Sequence, residues 1–318
     1  MIFADHLRAE SEAVFGSAAR YNTDGLSDQD ILIVDNDPVV LRRRSQVLKS
    51  NGWSVAAYSW SRLASLVRIR GLFVQHLKLE ALILQDVDDR LKNLLDRFEP
   101  AHDYSQESEE TCEIIACSTS GVQTTEERAW AMDVLAVTVR NLGILKLAST
   151  GRYNFDYHTV VRDAFLDRGL SDEDVEALLK LRDAKFLYRA GLPNHYVSWE
   201  QFEATCSAVG KAAGSHYSDF STRLPFTYPD AAPNYLNQRL LERDLLVSRP
   251  AYRVDPQEFE TVCRRVRKKL ISPRDYAWQI AKRTSSLWRD SEWLAGNSEI
   301  YECPATMGDP PLVNNQAI

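Results

Sequence analysis

The stretch that decides the fold lies near the amino terminus, where residues 15–34 read FGSAARYNTDGLSDQDILIV. A short apolar segment ends at Gly16 and Ser17. Asp28 and Asp30 stand at the start of an apolar run that continues to Val34. In a strand, residues i and i+2 face the same way, so these two carboxylates lie side by side. Adjacent carboxylates are costly unless a cation neutralises them, and Mg²⁺ takes one or two carboxylates together with phosphate oxygens. The segment therefore predicts a site for a metal-bound phosphate.

The glycine and serine add to this prediction. Gly16 permits close backbone approach, and Ser17 offers a hydroxyl and an amide where a triphosphate would lie. Arg20 adds a positive charge for the same phosphates. The alternative that needs no ligand is a polar hairpin whose carboxylates are merely solvated.

This combination resembles the signature of the DNA polymerase β-like nucleotidyltransferases, in which Gly-Ser and an arginine precede Ser-Asp-x-Asp at the start of an apolar strand. The resemblance implies a mixed β-sheet, one or two Mg²⁺ ions held by Asp28 and Asp30, and an NTP as substrate. It also implies attack of an acceptor hydroxyl on the α-phosphate with loss of pyrophosphate, the two aspartates being catalytic. The nucleotide-binding residues that it assigns are Gly16, Ser17, Arg20 and Ser27.

The sequence departs from the family at one position. Many members carry a third metal-binding carboxylate on the strand after the first long helix, but the corresponding segment here, Trp53–Trp60, contains no acid. Either two carboxylates suffice, or a distant acid such as Glu80 or Asp86 substitutes, or catalysis is lost. The last case would leave a catalytically silent NTP-binding or interaction protein of the same fold.

The periodicity of the chain predicts an α+β fold, with a small mixed-sheet nucleotidyltransferase domain followed by an α-helical bundle. A polar stretch with proline and acids, residues 99–110, marks the first boundary. The expected domains are residues 1–104, a helical bundle over 105–215, and a helical extension with a disordered tail over 216–318. The strands predicted in the first domain are Ala13–Phe15, Asp28–Val34 and Trp53–Trp60. The predicted helices are Phe3–Glu12, Val39–Ser50 with its cap and first turn supplied by Asp35–Pro38, and a helix capped by Ser61. Leu72–Gln85 is predicted as a helix or as a helix running into a strand.

Helices are predicted over residues 126–147, 157–167, 171–188 and 199–210, the third opened by a capping box of Ser171 with Asp174. Their position after the first domain resembles the HEPN-type bundles of kanamycin-nucleotidyltransferase-like proteins. Asp133 and Arg140 share a face of the first of these helices. They form either a structural ion pair or part of the cleft opposite Asp28 and Asp30, and Asp133 is the candidate general base. A HEPN ribonuclease pair, Arg189 and His195, has suitable spacing but is interrupted by glycine and proline.

Composition limits the function classes. The chain has 318 residues and a net charge of −7, which argues against indiscriminate nucleic-acid binding. Residues 38–79 contain no acid but eight basic side chains, most of which we expect on an exposed helix face. A basic, aromatic stretch over 264–288 suits either RNA or a solvated helix. The five scattered cysteines are expected to be reduced, and the histidines other than His195 to be surface or packing residues.

No apolar stretch is long enough for a membrane span or a signal peptide, so we expect a cytoplasmic protein. The acceptor is a protein, a tRNA or a small molecule, and a toxin–antitoxin or defence setting is one context that the resemblance suggests. A homodimer is compatible with the sequence.

Overall fold

A computed structural model of the protein describes residues 8–20, 26, 29–166, 169–214, 239, 242 and 243. The fold is α+β, as predicted: a small mixed sheet with its helices comes first, and a helical region follows. The strands are β1 (Ser11–Phe15), β2 (Gln29–Val34), β3 (Trp53–Tyr58) and β4 (Leu82–Asp86). The helices are α1 (Pro38–Ser50), α2 (Trp60–Arg68), α3 (Leu72–Glu80), α4 (Arg90–Asp96), α5 (Ser105–Thr119), α6 (Thr125–Ala148), α7 (Tyr157–Phe165), α8 (Asp172–Ala190) and α9 (Trp199–Ala213).

The sheet has the order β3-β2-β1-β4. Strand β1 is antiparallel to β2, with Phe15 opposite Asp30, and it is also antiparallel to β4, with Ser11 opposite Asp86. Strand β3 runs parallel to β2. The carboxyl end of β1 therefore meets the amino-terminal end of β2 at one edge of the sheet.

The predicted helix over Phe3–Glu12 is wrong for its last residues, because Ser11 and Glu12 belong to β1; residues 1–7 lie outside the described part. All five residues of β1 are buried. The Glu12 carboxylate accepts two hydrogen bonds of 2.8 Å from Arg44 of α1, so a polar pattern typical of a helix surface is instead an internal ion pair. Arg44 is only 1% exposed and thus departs from the exposed basic face that the sequence predicts.

Several predicted element boundaries are confirmed. The Asp37 side chain caps α1 by accepting from the Val39 amide, and the helix stops at Ser50 before Gly52, whose φ is 86°. Helix α2 begins two residues earlier than predicted, because Ser59 rather than Ser61 caps it. Of the two alternatives for residues 72–85, the helix that runs into a strand is correct.

Helix α6 lies at the centre of the helical region and contacts α5, α7, α8 and α9. Of its sixteen buried residues, ten belong to a hydrophobic core separate from the one around the sheet. At Gly143 a Cβ atom would lie 2.6 Å from Val160 Cγ1, so glycine allows α7 to pack closely. The predicted capping box of Ser171 and Asp174 opens α8. Helix α5 was missed, because its first turns fall within the polar stretch over residues 99–110.

Cys112, Cys117 and Cys206 are free thiols, whereas Cys263 and Cys303 lie outside the described residues. The predicted extension over 216–318, including its basic stretch and tail, also lies outside them except for positions 239, 242 and 243. Within the described part of the chain, no helix combines the length and the apolar character that a membrane crossing needs.

Candidate functional site

The site begins where β1 ends. Gly16 has a φ of 68°, and a Cβ atom there would lie 3.3 Å from Asp30 Oδ2. Glycine thus serves two purposes: it adopts a left-handed backbone conformation that other residues rarely adopt, and it leaves room for the carboxylate. Of the two predicted metal ligands, Asp30 lies at this edge and Asp28 lies outside the described residues. Ser27, predicted to bind the nucleotide, also lies outside them.

After Gly16 the chain forms a 3₁₀ turn over Gly16–Ala18, in which the amides of Ala19 and Arg20 donate to the Gly16 carbonyl at 3.1 Å. Ser17 is partly buried in this turn. The turn reverses the chain within four residues. It therefore places Ser17 and Arg20 beside the same sheet edge as Asp30, the grouping that the sequence predicts.

Arg20 is held by two carboxylates. Its Nη1 atom is hydrogen-bonded to Glu80, the last residue of α3, and its Nη2 atom lies 3.7 Å from Asp156 Oδ1. Asp156 caps α7, and hydrogen bonds from Thr159 fix its other oxygen. Since α3 belongs to the sheet domain and α7 to the helical region, Arg20 links the two.

His76 of α3 is a site residue that the sequence analysis assigned to surface or packing. It is buried, its ring stacks on Phe155 at a centroid distance of 4.2 Å, and it forms a T-shaped pair with the Phe15 ring at 5.4 Å. The Nε2 atom lies 3.0 Å from Glu80 Oε2. Because an ionised carboxylate only accepts, we assign the Nε2–H tautomer. The spacing of His76 and Glu80, four residues apart in a helix, was the one signal in the sequence.

The electrostatics of this pair follow from burial and from the arginines. Burial lowers the pKa of His76 against the opposing effect of Glu80, and Arg140 and Arg20 lower it further, so the imidazole is neutral at pH 7. Burial by itself would raise the pKa of the Glu80 carboxyl. The hydrogen bond from His76 and the positive charge of Arg20 outweigh it, and the pKa is lowered.

Arg140 enters the site from α6. Its Nη2 atom donates to the Phe155 carbonyl oxygen at 2.8 Å. Burial lowers the pKa of Arg140, and the charge of Asp30 opposes this shift more than any other carboxylate does. Arg140 therefore lies within electrostatic reach of the carboxylate that the sequence assigned to the metal.

Asp133, the candidate general base, is held by two arginines. It is fully buried, accepts from Arg189 Nε at 2.6 Å with one oxygen, and accepts from Arg239 with the other. Burial would raise the pKa of this carboxyl, but the two arginines keep it below its usual value. Of the two roles considered for Asp133, this geometry has the form of a structural ion pair, although with Arg189 and Arg239 rather than with Arg140.

The structure separates the two acids considered as a third metal ligand. Asp86 accepts from Ser11 Oγ and from the Leu91 and Lys92 amides, so it organises the start of α4. It lies opposite Ser11, four residues and thus about 13 Å along β1 from Phe15. Glu80 precedes β4 at the same sheet edge as Gly16, but Arg20 and His76 hold it.

The ribonuclease pair is engaged in other contacts. Arg189 binds Asp133, and the ring of His195 packs against Tyr196 at 4.1 Å. Helix α8 ends at Ala190 with Gly191 as its left-handed cap, so the two residues are not presented on one helix. This agrees with the sequence analysis, in which glycine and proline interrupt the pair.

The donor atoms at the sheet edge suit Mg²⁺, which prefers carboxylate and phosphate oxygens. Among the residues that the structure describes, no three His, Cys, Asp or Glu side chains converge as a complete metal cluster. Asp30, with Asp28 two positions earlier in the sequence, fits the smaller protein contribution of one or two carboxylates that Mg²⁺ accepts when phosphate supplies the rest.

Comparison with known proteins adds no family assignment: no protein-family model matches the chain, and no curated protein is significantly similar to it.

Proposed function

We propose that the protein is a Mg²⁺-dependent nucleotidyltransferase of the DNA polymerase β-like type, which transfers a nucleoside monophosphate from an NTP to an acceptor hydroxyl. The observation that carries the proposal is the contact between Gly16 and Asp30, where a Cβ atom would come within 3.3 Å of the carboxylate. It joins the Gly-Ser turn to the Asp-x-Asp strand on a mixed sheet, as the resemblance requires. The acceptor is a protein, a tRNA or a small molecule.

The residues at this edge would divide the work as follows. Asp30 and Asp28 would hold Mg²⁺, which when bound neutralises charge on the phosphates. The backbone and hydroxyl of Ser17 would position the triphosphate. An acceptor oxygen forms a bond to the α-phosphorus, the bond from that phosphorus to the bridging oxygen breaks, pyrophosphate leaves, and the acceptor proton passes to solvent or a nearby base.

The test is label transfer from each α-³²P-labelled NTP in Mg²⁺, with the protein alone and with cell extract as a source of acceptors. We expect labelling by the wild type and by Asp96→Asn, a matched substitution of an exposed acid that pairs with Lys92, and none by Asp30→Asn. Undiminished labelling by Asp30→Asn would show that Asp30 is not needed as a metal ligand, and the proposal would then be wrong.

A second candidate, a silent NTP-binding protein, is favoured by the register of β3. Ser54 stands opposite Asp30 on this strand, and the strand contains no acid. Binding of NTP that depends on Asp30 without any label transfer would select this function. If the wild type neither binds nor transfers a nucleotide, both candidates fall.

A further inference from the structure

Arg140, a charged residue of the helical region, uses only part of its hydrogen-bonding capacity. It lies on α6, most of whose residues are buried in the second hydrophobic core. A guanidinium group has five N–H donors. Within the described part of the chain, Arg140 uses one of them, in the hydrogen bond from Nη2 to the Phe155 carbonyl.

No described residue takes up the remaining donors of Arg140. The side chain is partly buried, yet none of its nitrogens is among the sealed side-chain atoms that lack a hydrogen-bond partner. Arg20 differs, because Glu80 and Asp156 already take up its two terminal nitrogens. A polyanion that enters the site would have to displace carboxylates to reach Arg20, whereas Arg140 can receive it directly.

The orientation of Arg140 is fixed from both parts of the molecule. Phe155, whose carbonyl holds Nη2, stacks its ring on His76 of α3. The next residue, Asp156, faces Arg20. The loop between α6 and α7 thus positions Arg140 relative to the sheet edge, so its donors are organised before a ligand binds.

We propose that Arg140 binds the β- and γ-phosphates of the nucleoside triphosphate, so that the helical region completes the nucleotide site. The planar fork of a guanidinium matches phosphate oxygens. The charge of Asp30 acts on Arg140, so a phosphate chain bound by Arg140 would lie near the carboxylate that is proposed to hold Mg²⁺. This inference rests on the proposed function and adds a second, separate element of the fold to it.

The experiment measures the affinity of the full chain for ATP and for inorganic tripolyphosphate in Mg²⁺ by isothermal titration calorimetry. Arg140→Ala should weaken both ligands by about 10- to 100-fold, the usual effect of losing hydrogen bonds to a charged group. Arg140→Lys, which keeps the charge but loses the fork, should lose less. Arg152→Ala is the matched control, because Arg152 is 52% exposed and pairs with Asp163 in the same region.

The outcomes separate the two proposals. If the wild type binds and Arg140→Ala binds as tightly as Arg152→Ala, the inference is overturned while the proposed function stands. If the wild type binds neither ligand, both are overturned. Should Arg140→Ala fail to fold by circular dichroism, Arg140→Gln decides, since it removes the positive charge but keeps a polar side chain with N–H donors. Unchanged affinity in a folded Arg140→Gln would refute the inference.

Discussion

Replacing Gly16 by alanine separates backbone strain from damage to the site. The φ of 68° costs an L-residue about 1–2 kcal/mol, a visible part of a typical total of about 5–15 kcal/mol. The new Cβ would also lie 3.3 Å from Asp30 Oδ2, so the carboxylate must shift by a few tenths of an ångström. A misplacement of about 1 Å costs roughly 100-fold in rate, so we expect a loss of about three- to tenfold.

Gly151→Ala provides the control for this prediction. Gly151 has a similar φ of 75°, but nothing lies within 4 Å of the position of its Cβ. Both variants should lose about 1–2 kcal/mol in urea unfolding followed by circular dichroism. Only Gly16→Ala should slow label transfer from α-³²P-ATP and weaken ATP binding. Equal activity in the two variants would show that the close contact with Asp30 has no part in the chemistry.

Three further predictions concern stability. Glu12→Gln should destabilise the protein by about 3–5 kcal/mol in urea unfolding, because it leaves the buried charge of Arg44 uncompensated. Asp86→Ala should cost about 1–2 kcal/mol because it leaves the Leu91 and Lys92 amides at the start of α4 without their acceptor, while ATP affinity stays unchanged because the residue lies at the opposite sheet edge. The folded-state pKa of His76 is lowered, so below about pH 6.5 the unfolded chain binds more protons than the folded chain. The free energy of unfolding should therefore be highest above that pH and should decrease as the pH drops toward the folded pKa. His76→Gln should remove this decrease.

Each of these predictions has its own control. The double variant Glu12→Met with Arg44→Met should recover most of the stability, since it leaves no charge unpaired, and a double variant as unstable as Glu12→Gln would contradict the argument. A large drop in ATP affinity in Asp86→Ala would mean that this acid does act at the site. Parallel stability curves of wild type and His76→Gln between pH 7 and pH 5 would contradict the neutral imidazole.

The sequence was sufficient for those features that depend on neighbours along the chain. The strand that ends at Gly16, the cap by Asp37 and the capping box of Ser171 with Asp174 are local patterns, and all three are confirmed. The α+β class followed from the same kind of evidence. Ser59 replaced Ser61 as the cap of α2 because either serine satisfies the local rule.

Features that depend on distant partners could not be predicted. Glu12 looked like a helix-surface residue because its partner, Arg44, lies 32 positions away. Asp133 was left between two roles, and the arginines that bind it are 56 and 106 positions away. His76 carried a local signal in Glu80, but its stacking on Phe155 depends on how the helical region meets the sheet domain.

The ion pair of Asp133 and Arg239 has a consequence for synthesis of the chain. The two residues are 106 positions apart, so a ribosome that adds about 5–20 residues per second needs roughly 5–20 s to pass from the aspartate to the arginine. During that time Asp133 can pair with Arg189 but not yet with Arg239, and Arg189 is itself synthesised 56 positions after the aspartate. The centre of the bundle is therefore completed only after Arg239 has been synthesised, and ribosome pausing between these residues would prolong the period in which the Asp133 carboxylate lacks its second arginine.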